Sequence, residues 1–425
     1  MKPTRARYGV IFFAVTLAIL SYIDRVCMSK AAPHIVRDLA LNPAQMGKIF
    51  GTFGLAYALF EIPTGWLGDR MGPRKILMRI VLWWSAFTAL TGWMWSYWSL
   101  RITQFLFGAG EAGGFPNLTK SFTTWLPENE RVRAQGIMWT FARWGGAFTP
   151  LLVGAMLVHI SWRWAFTVFG GLGLIWAFFF YGWYRDNPRD HKGVNAAELA
   201  LIGDARKNAA GHGDVPWKKL VTSRSIVLLW AQYFCLSFPW YFFITWMPTY
   251  LEKYRGVPES TARFYETLPL LLGGFGCLFC GLISRRLSDK FGARASRRAL
   301  AIAGFGGAAA LMAISVGLRN PMWTMVAMGM ASFCNDLAMP PSWGACMDIG
   351  GKYAGTVSGS MNMMGNLAGF VSPVFGGYIL QRTGGNFPIY IYTMAGMYAL
   401  GTLCWPFIDP VTPLEPVKAP EAAAA

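Results

Sequence analysis

Six ionisable residues stand inside long apolar runs: Asp24, Arg25, Glu61, Glu111, Arg143 and Asp336. A charged side chain at the centre of a bilayer costs about 2.5–3.5 kcal/mol even on the insertion scale, so each is a candidate for moving an ion or a proton. Arg25 keeps its proton, and its planar fork donates two parallel hydrogen bonds, which suits a carboxylate or a similar oxyanion. Tyr22, Arg25 and Ser29 fall at i, i+3 and i+7 and share one helical face. Asp24, one position round the helix, points elsewhere and is a candidate proton site. Glu111 lies in the run GAGEAGG, where small neighbours permit close helix contact, and is a second candidate for proton exchange. Gln104, Gly108 and Glu111 share a face, with Gly108 leaving a hollow. Arg143 falls near mid-membrane, about eleven residues into its own apolar run at about 1.5 Å per residue.

Other chemistries find no support. There is no HExxH, and Gly47-Lys48 is followed by Ile49 and Gly351-Lys352 by Tyr353, so no phosphate-binding loop is present. The seven cysteines all lie in apolar stretches and form neither a disulfide nor a zinc framework. No metal, no other cofactor and no enzymatic activity are expected.

The elements that must position these residues follow from composition. Of 425 residues 54% are hydrophobic and 14% charged, against about 25% charged in a soluble domain. A spanning helix needs about 20 apolar residues. Windows near 8–30, 45–66, 75–98, 99–122, 132–157, 162–184, 224–250, 265–286, 298–318, 321–346, 354–381 and 387–408 meet that demand. The chain therefore reads as an all-α polytopic membrane protein with twelve transmembrane helices. The long polar stretch between spans six and seven divides it into an N-terminal six-helix bundle (1–184), a cytoplasmic linker (185–223), a C-terminal six-helix bundle (224–409) and a disordered cytoplasmic tail (410–425). The basic N-terminus runs into the first span and lacks a cleavage site, so it is not a removable signal.

The formal net charge of +17 is explained by topology. Most of the 38 lysines and arginines fall at the termini, in the even-numbered gaps and in the central linker, which the positive-inside rule places in the cytoplasm. No nucleic-acid partner is needed.

An internal repeat supports the two halves. GWLGDRMGPRK, with Asp69, Arg70 and Arg74, follows span two, and LSDKFGAR, with Asp289, follows span eight. Each combines a glycine turn, an acid near a helix end and a basic cluster. Such an acid can hold cations or a helix N-terminus in one conformation and release them in another.

GWLGDRMGPRK resembles the loop signature of the major facilitator superfamily, and the likeness extends over essentially the whole chain. Tyr22-Ile-Asp24-Arg25, the block from Phe107 to Pro116 around Glu111, Ser161-Trp-Arg-Trp-Ala-Phe166 and Gly365-Asn366-Leu-Ala-Gly resemble the anion:cation symporter branch. That branch includes bacterial hexuronate, aldarate and galactonate uptake proteins and sialin-type relatives. The resemblance implies two pseudo-symmetric bundles, gating by Asp69, Arg70, Arg74 and Asp289, substrate contacts from Tyr57, Trp343 and Asn362, and coupling through Asp24 and Glu111. The chain departs from many members at Gln104, where they carry an arginine seven residues before the span-four glutamate. Arg143 is expected to replace it as a second anion clamp beside Tyr22, Arg25 and Gln104. The C-terminal half, with Asn335, Trp343, Asn362 and Asn366, is rich in amides and suits hydroxyl recognition. Asp336 is open between a proton site and a partner for Asn or Arg, and Glu61 reads as a gate or structural pair.

The expectation is a monomeric, multi-pass inner-membrane symporter, both termini cytoplasmic, that takes up a small organic anion such as a hexuronate, aldonate or aldarate with protons, in contact with membrane lipid. Two alternatives are a proton-coupled exporter of hydrophobic compounds, which the intramembrane arginines disfavour, and a non-transporting membrane sensor.

Overall fold

The computed structural model describes residues 2–203 and 215–415, and among them there is no β-strand. The N-terminal half comprises α1 (Arg7–Asp38), α2 (Pro43–Met71), α3 (Pro73–Thr91), α4 (Tyr97–Glu111), α5 (Gly114–Trp125), α6 (Glu128–His159) and α7 (Trp162–Trp183). Two short helices, α8 (Ala196–Ile202) and α9 (Trp217–Thr222), lie in the linker. The C-terminal half comprises α10 (Arg224–Thr245), its short continuation α11 (Met247–Thr249), α12 (Glu259–Phe291), α13 (Ala293–Gly317), α14 (Pro321–Gly350), α15 (Ala354–Arg382) and α16 (Phe387–Cys404).

Local sequence sets where these helices begin and break. Asn42 and Gln45 form a reciprocal cap on α2, and Ser96 and Ser99 do the same on α4. Span four, expected as one helix, is two: α4 stops at Glu111, and Gly113 takes φ +82° before α5 starts. A left-handed residue cannot continue a right-handed helix, and glycine adopts it without a Cβ penalty. Counting α4–α5 as one broken helix gives twelve spans. Eight stretches are long and apolar enough to cross a membrane by themselves, one of them holding both α14 and α15. α2 and α3 carry too much charge or too little apolarity to qualify, and α4 and α5 are individually short.

The halves meet in two crossings that exchange under the internal repeat, α2 on α15 and α6 on α12. Small residues let the backbones touch at both: Gly65 packs on Gly355, and a Cβ on Gly136 would lie 2.7 Å from the Cys277 carbonyl and 2.8 Å from the Gly281 Cα. The repeat is also written in the backbone, since Gly72 between α2 and α3 and Gly292 between α12 and α13 have φ +87° and +82°.

Residues 410–415, expected to belong to a disordered tail, instead pack on the C-terminal half. Arg297 donates to the Pro410 carbonyl (2.7 Å), Leu414 N–H to the Ile349 carbonyl (2.7 Å), and Glu415 pairs with Lys352 (3.0 Å). Residues 416–425 lie outside the described residues.

Candidate functional site

The N-terminal half builds a cluster around Arg25 at the middle of α1. Its Nε donates to Glu111 Oε1 at 2.9 Å, and the guanidinium carbon lies 4.6 Å from the Tyr57 ring centre, 5.4 Å from Phe53 and 5.9 Å from Tyr22. The Ser21 hydroxyl donates to the same Glu111 oxygen. Because α4 ends at Glu111, its carboxylate sits at the helix break, nearly buried, with Oε2 making no hydrogen bond among the described residues. A void with room for about one water molecule lies beside it, lined by Ser21, Tyr57, Trp84 and Glu111. The Arg25 side chain keeps 27% of its surface accessible, so it can receive an anion while Glu111 stays covered. Asp24 turns the other way, to the Trp84 indole and Thr88 hydroxyl of α3.

Among the polar contacts that cross between the halves at this level, two involve a carboxylate. Arg143 on α6 makes a two-pronged pair with Asp336 on α14, Nε to Oδ2 at 2.7 Å and Nη2 to Oδ1 at 2.9 Å. Trp240 on α10 stacks 3.5 Å from the Arg143 guanidinium, and Asn335 donates to Asp336 Oδ1 (2.8 Å). Glu61 on α2, fully buried, accepts from the amides of Asn362 and Asn366 on α15, the latter at 3.1 Å.

At the end carrying both termini, several polar contacts tie the halves. Asp69 accepts from the Gly355 and Thr356 amides and the Thr356 hydroxyl at the first turn of α15, and Lys120 on α5 approaches it to 3.5 Å. Arg131 on α6 and Arg297 on α13 both pair with Asp348 on α14. Glu130 on α6 holds Arg7 (3.0 Å) and lies 3.7 Å from Arg285 on α12. The second copy of the turn behaves differently: Asp289 is exposed and, among the described residues, pairs with Arg285 of its own helix at 3.9 Å. Arg74 bonds the Tyr181 carbonyl on α7, and Arg70 lies over Trp66.

Of the residues singled out in the sequence, Tyr22, Arg25, Tyr57 and Glu111 come together, and Asn362 faces them through Glu61. Gln104 does not join: its amide donates to Thr91 on α3 (3.1 Å). Trp343 is fully buried, its indole N–H spent on the Tyr233 hydroxyl (3.0 Å) and its ring 5.4 Å from Trp139 across the interface. Arg143 is central, but as one half of an internal ion pair. Sequence reasoning missed Trp240 and Tyr241, which reach the cluster from α10; the signal is Pro239, which stands inside that helix just before them. Tyr241 donates to Asn366 (3.3 Å).

Comparisons with known proteins agree with this architecture. Residues 14–373 match the sequence family described as the Major Facilitator Superfamily. The probable sulfoacetate transporter SauU of Cupriavidus necator is 34% identical, over 96% of this chain and 95% of its own. The D-galactonate transporter of Escherichia coli O6:H1 is 31% identical, over 90% and 91% of the two chains. Among solved structures, the fucose:proton symporter FucP of E. coli superposes with a TM-score of 0.71 over 95% of this chain and 99% of that one; at 15% identity it speaks for the fold alone.

Proposed function

The chain belongs to the major facilitator superfamily of multi-pass membrane transporters, and from that premise we propose that it is a proton-coupled symporter of a small organic anion, of the sugar-acid or sulfonate class. The names of its relatives, sulfoacetate and D-galactonate transporters, support the class. The observation that carries the reading is Arg25 held by Glu111 at 2.9 Å: a permanent cation and a titratable acid share one contact. Protonating Glu111 removes its claim on Arg25 and frees the guanidinium for a substrate carboxylate. Losing that proton restores the pair and expels the anion.

In this reading both termini are cytoplasmic, these ties close the cytoplasmic end, and the site lies at the midplane between halves that rock to expose it alternately. Asp24 is a further proton site behind Arg25, and Tyr22, Tyr57 and Asn362 contact the substrate. If more protons than substrate charges move, each net positive charge entering gains about 2.3 kcal/mol per 100 mV. The protein acts as a monomer.

Thermal stabilisation tests the class, because a ligand that binds only the folded state raises its stability by about 2.7 kcal/mol at one hundred times its Kd. Sugar acids or sulfocarboxylates should raise the melting temperature of the wild type and fail to do so with Arg25→Gln. Stabilisation by hydrophobic cations instead would favour the exporter, against which Arg25 and Arg143 stand.

A further inference from the structure

Arg143 starts from the N-terminal half and ends on the C-terminal half. Its Nε and Nη2 meet the two oxygens of Asp336 at 2.7 and 2.9 Å, the parallel fork an arginine makes with any carboxylate. Trp240 closes one face of the guanidinium at 3.5 Å, and Asn335 supplies a further donor to Asp336. Arg143 is 2% exposed and Asp336 0%. Asp336 thus presents to Arg143 the same two oxygens on a planar carbon that an acidic substrate would bring.

Tyr22 links this pair to the first cation. Its ring lies 5.9 Å from the Arg25 guanidinium carbon, and a Cβ on Gly146, one helical turn beyond Arg143, would come within 3.0 Å of it. Tyr22 therefore lies between the Arg25 guanidinium and the turn of α6 that follows Arg143, and each arginine already holds a carboxylate of the protein, Glu111 in one case and Asp336 in the other.

Resting on the reading that the chain carries an organic anion, we infer that Asp336 is a built-in competitor for the substrate, which yields Arg143 to a second acidic group. The class this selects is an organic acid with an acidic group at each end, one end taken by Arg25 and the other by Arg143. A monoacid engages Arg25 and leaves the Arg143–Asp336 pair closed. Because the pair joins α6 to α14, its exchange also releases one of the ties between the two halves at the moment the diacid binds.

Calorimetry on the purified full chain tests this with D-glucarate, which has two carboxylates, and D-galactonate, which has one. Asp336→Asn should bind D-glucarate at least tenfold tighter than wild type and improve less for D-galactonate; adding Arg143→Gln should cancel the gain. Should that variant fold poorly, Gly273→Ala perturbs the pair while keeping its charge, since the new Cβ would lie 2.6 Å from Asp336 Oδ2. It should tighten D-glucarate in the same direction. Asp336→Asn and Gly273→Ala proteins that bind D-glucarate no tighter than wild type, or gain as much for D-galactonate, overturn the inference. Failure of the wild type to bind either acid would instead count against anion transport.

Discussion

Asp69 and Thr356 lie in opposite halves, yet Asp69 Oδ2 accepts both the amide (2.6 Å) and the hydroxyl (2.7 Å) of Thr356. An acid on one bundle thereby caps the first turn of a helix on the other, where the exposed amides and the helix dipole favour negative charge. Asp69→Asn keeps the shape and removes the charge. Hydrogen bonds to a charged group contribute about 1.5–3 kcal/mol, so the closed end should lose at least about tenfold in population. Spin labels on Asn129 and Arg286, at this end of the two halves, should report a longer distance in the variant; an unchanged distribution would remove Asp69 from the gate.

Of the paired arginines Arg25 and Arg143, Arg25 keeps accessible surface and Arg143 is covered. Arg25→Gln should weaken anion binding by roughly 10- to 100-fold, the range expected for about 1.5–3 kcal/mol of charged hydrogen bonding. Arg25→Lys retains the charge but not the fork and should fall between the two. Calorimetry on the same anion checks the order.

The two repeat glycines separate backbone strain from crowding. Gly72 and Gly292 have nearly equal φ, but a Cβ on Gly72 would press on the Asp186 carboxylate at 2.5 Å, whereas one on Gly292 meets nothing within 4 Å. Backbone strain alone costs about 1–3 kcal/mol at either site. Gly72→Ala should lower the melting temperature more than Gly292→Ala does.

The N-terminus is fastened to the linker through Glu198, which accepts from Thr4, Ala6 and Arg7. Burial works against its charge, but the Thr4 hydroxyl and the Arg7 and Ala6 donors outweigh it and hold the carboxyl below the usual glutamate range. A depressed folded-state value means the stabilisation is present above the unfolded value, about 4.3, and fades as pH falls through the folded one. Melting temperature should therefore drop on going below about pH 4, and Glu198→Gln should be less stable than wild type at pH 7 by a margin that shrinks as pH falls. A margin that stays constant would show that the charge of Glu198 is not involved.

The fold was legible because lipid imposes length and apolarity on every span and because the repeated turn exposes the two halves. Arg25 and Glu111 were legible for the related reason that a charge in hydrocarbon needs a purpose. Asp336 was open as a partner for an asparagine or arginine, but its pairing with Arg143 was not legible, since the two stand 193 residues apart on separate bundles and only the docking of the halves brings them together. Gln104 shows the opposite failure: its spacing put it on the face of Glu111, but the Thr91 hydroxyl accepts its amide and holds it toward α3. Residues 410–415 were misread as disordered because their polar, proline-rich composition hides the backbone contacts at Pro410 and Ile349 that dock them.

The sharing of Arg25 between Glu111 and substrate is tested most directly in proteoliposomes carrying Glu111→Gln, loaded with an anion that stabilises the wild type. The variant should still exchange labelled anion between the two sides but no longer accumulate it under an imposed proton gradient. Accumulation equal to wild type would contradict it.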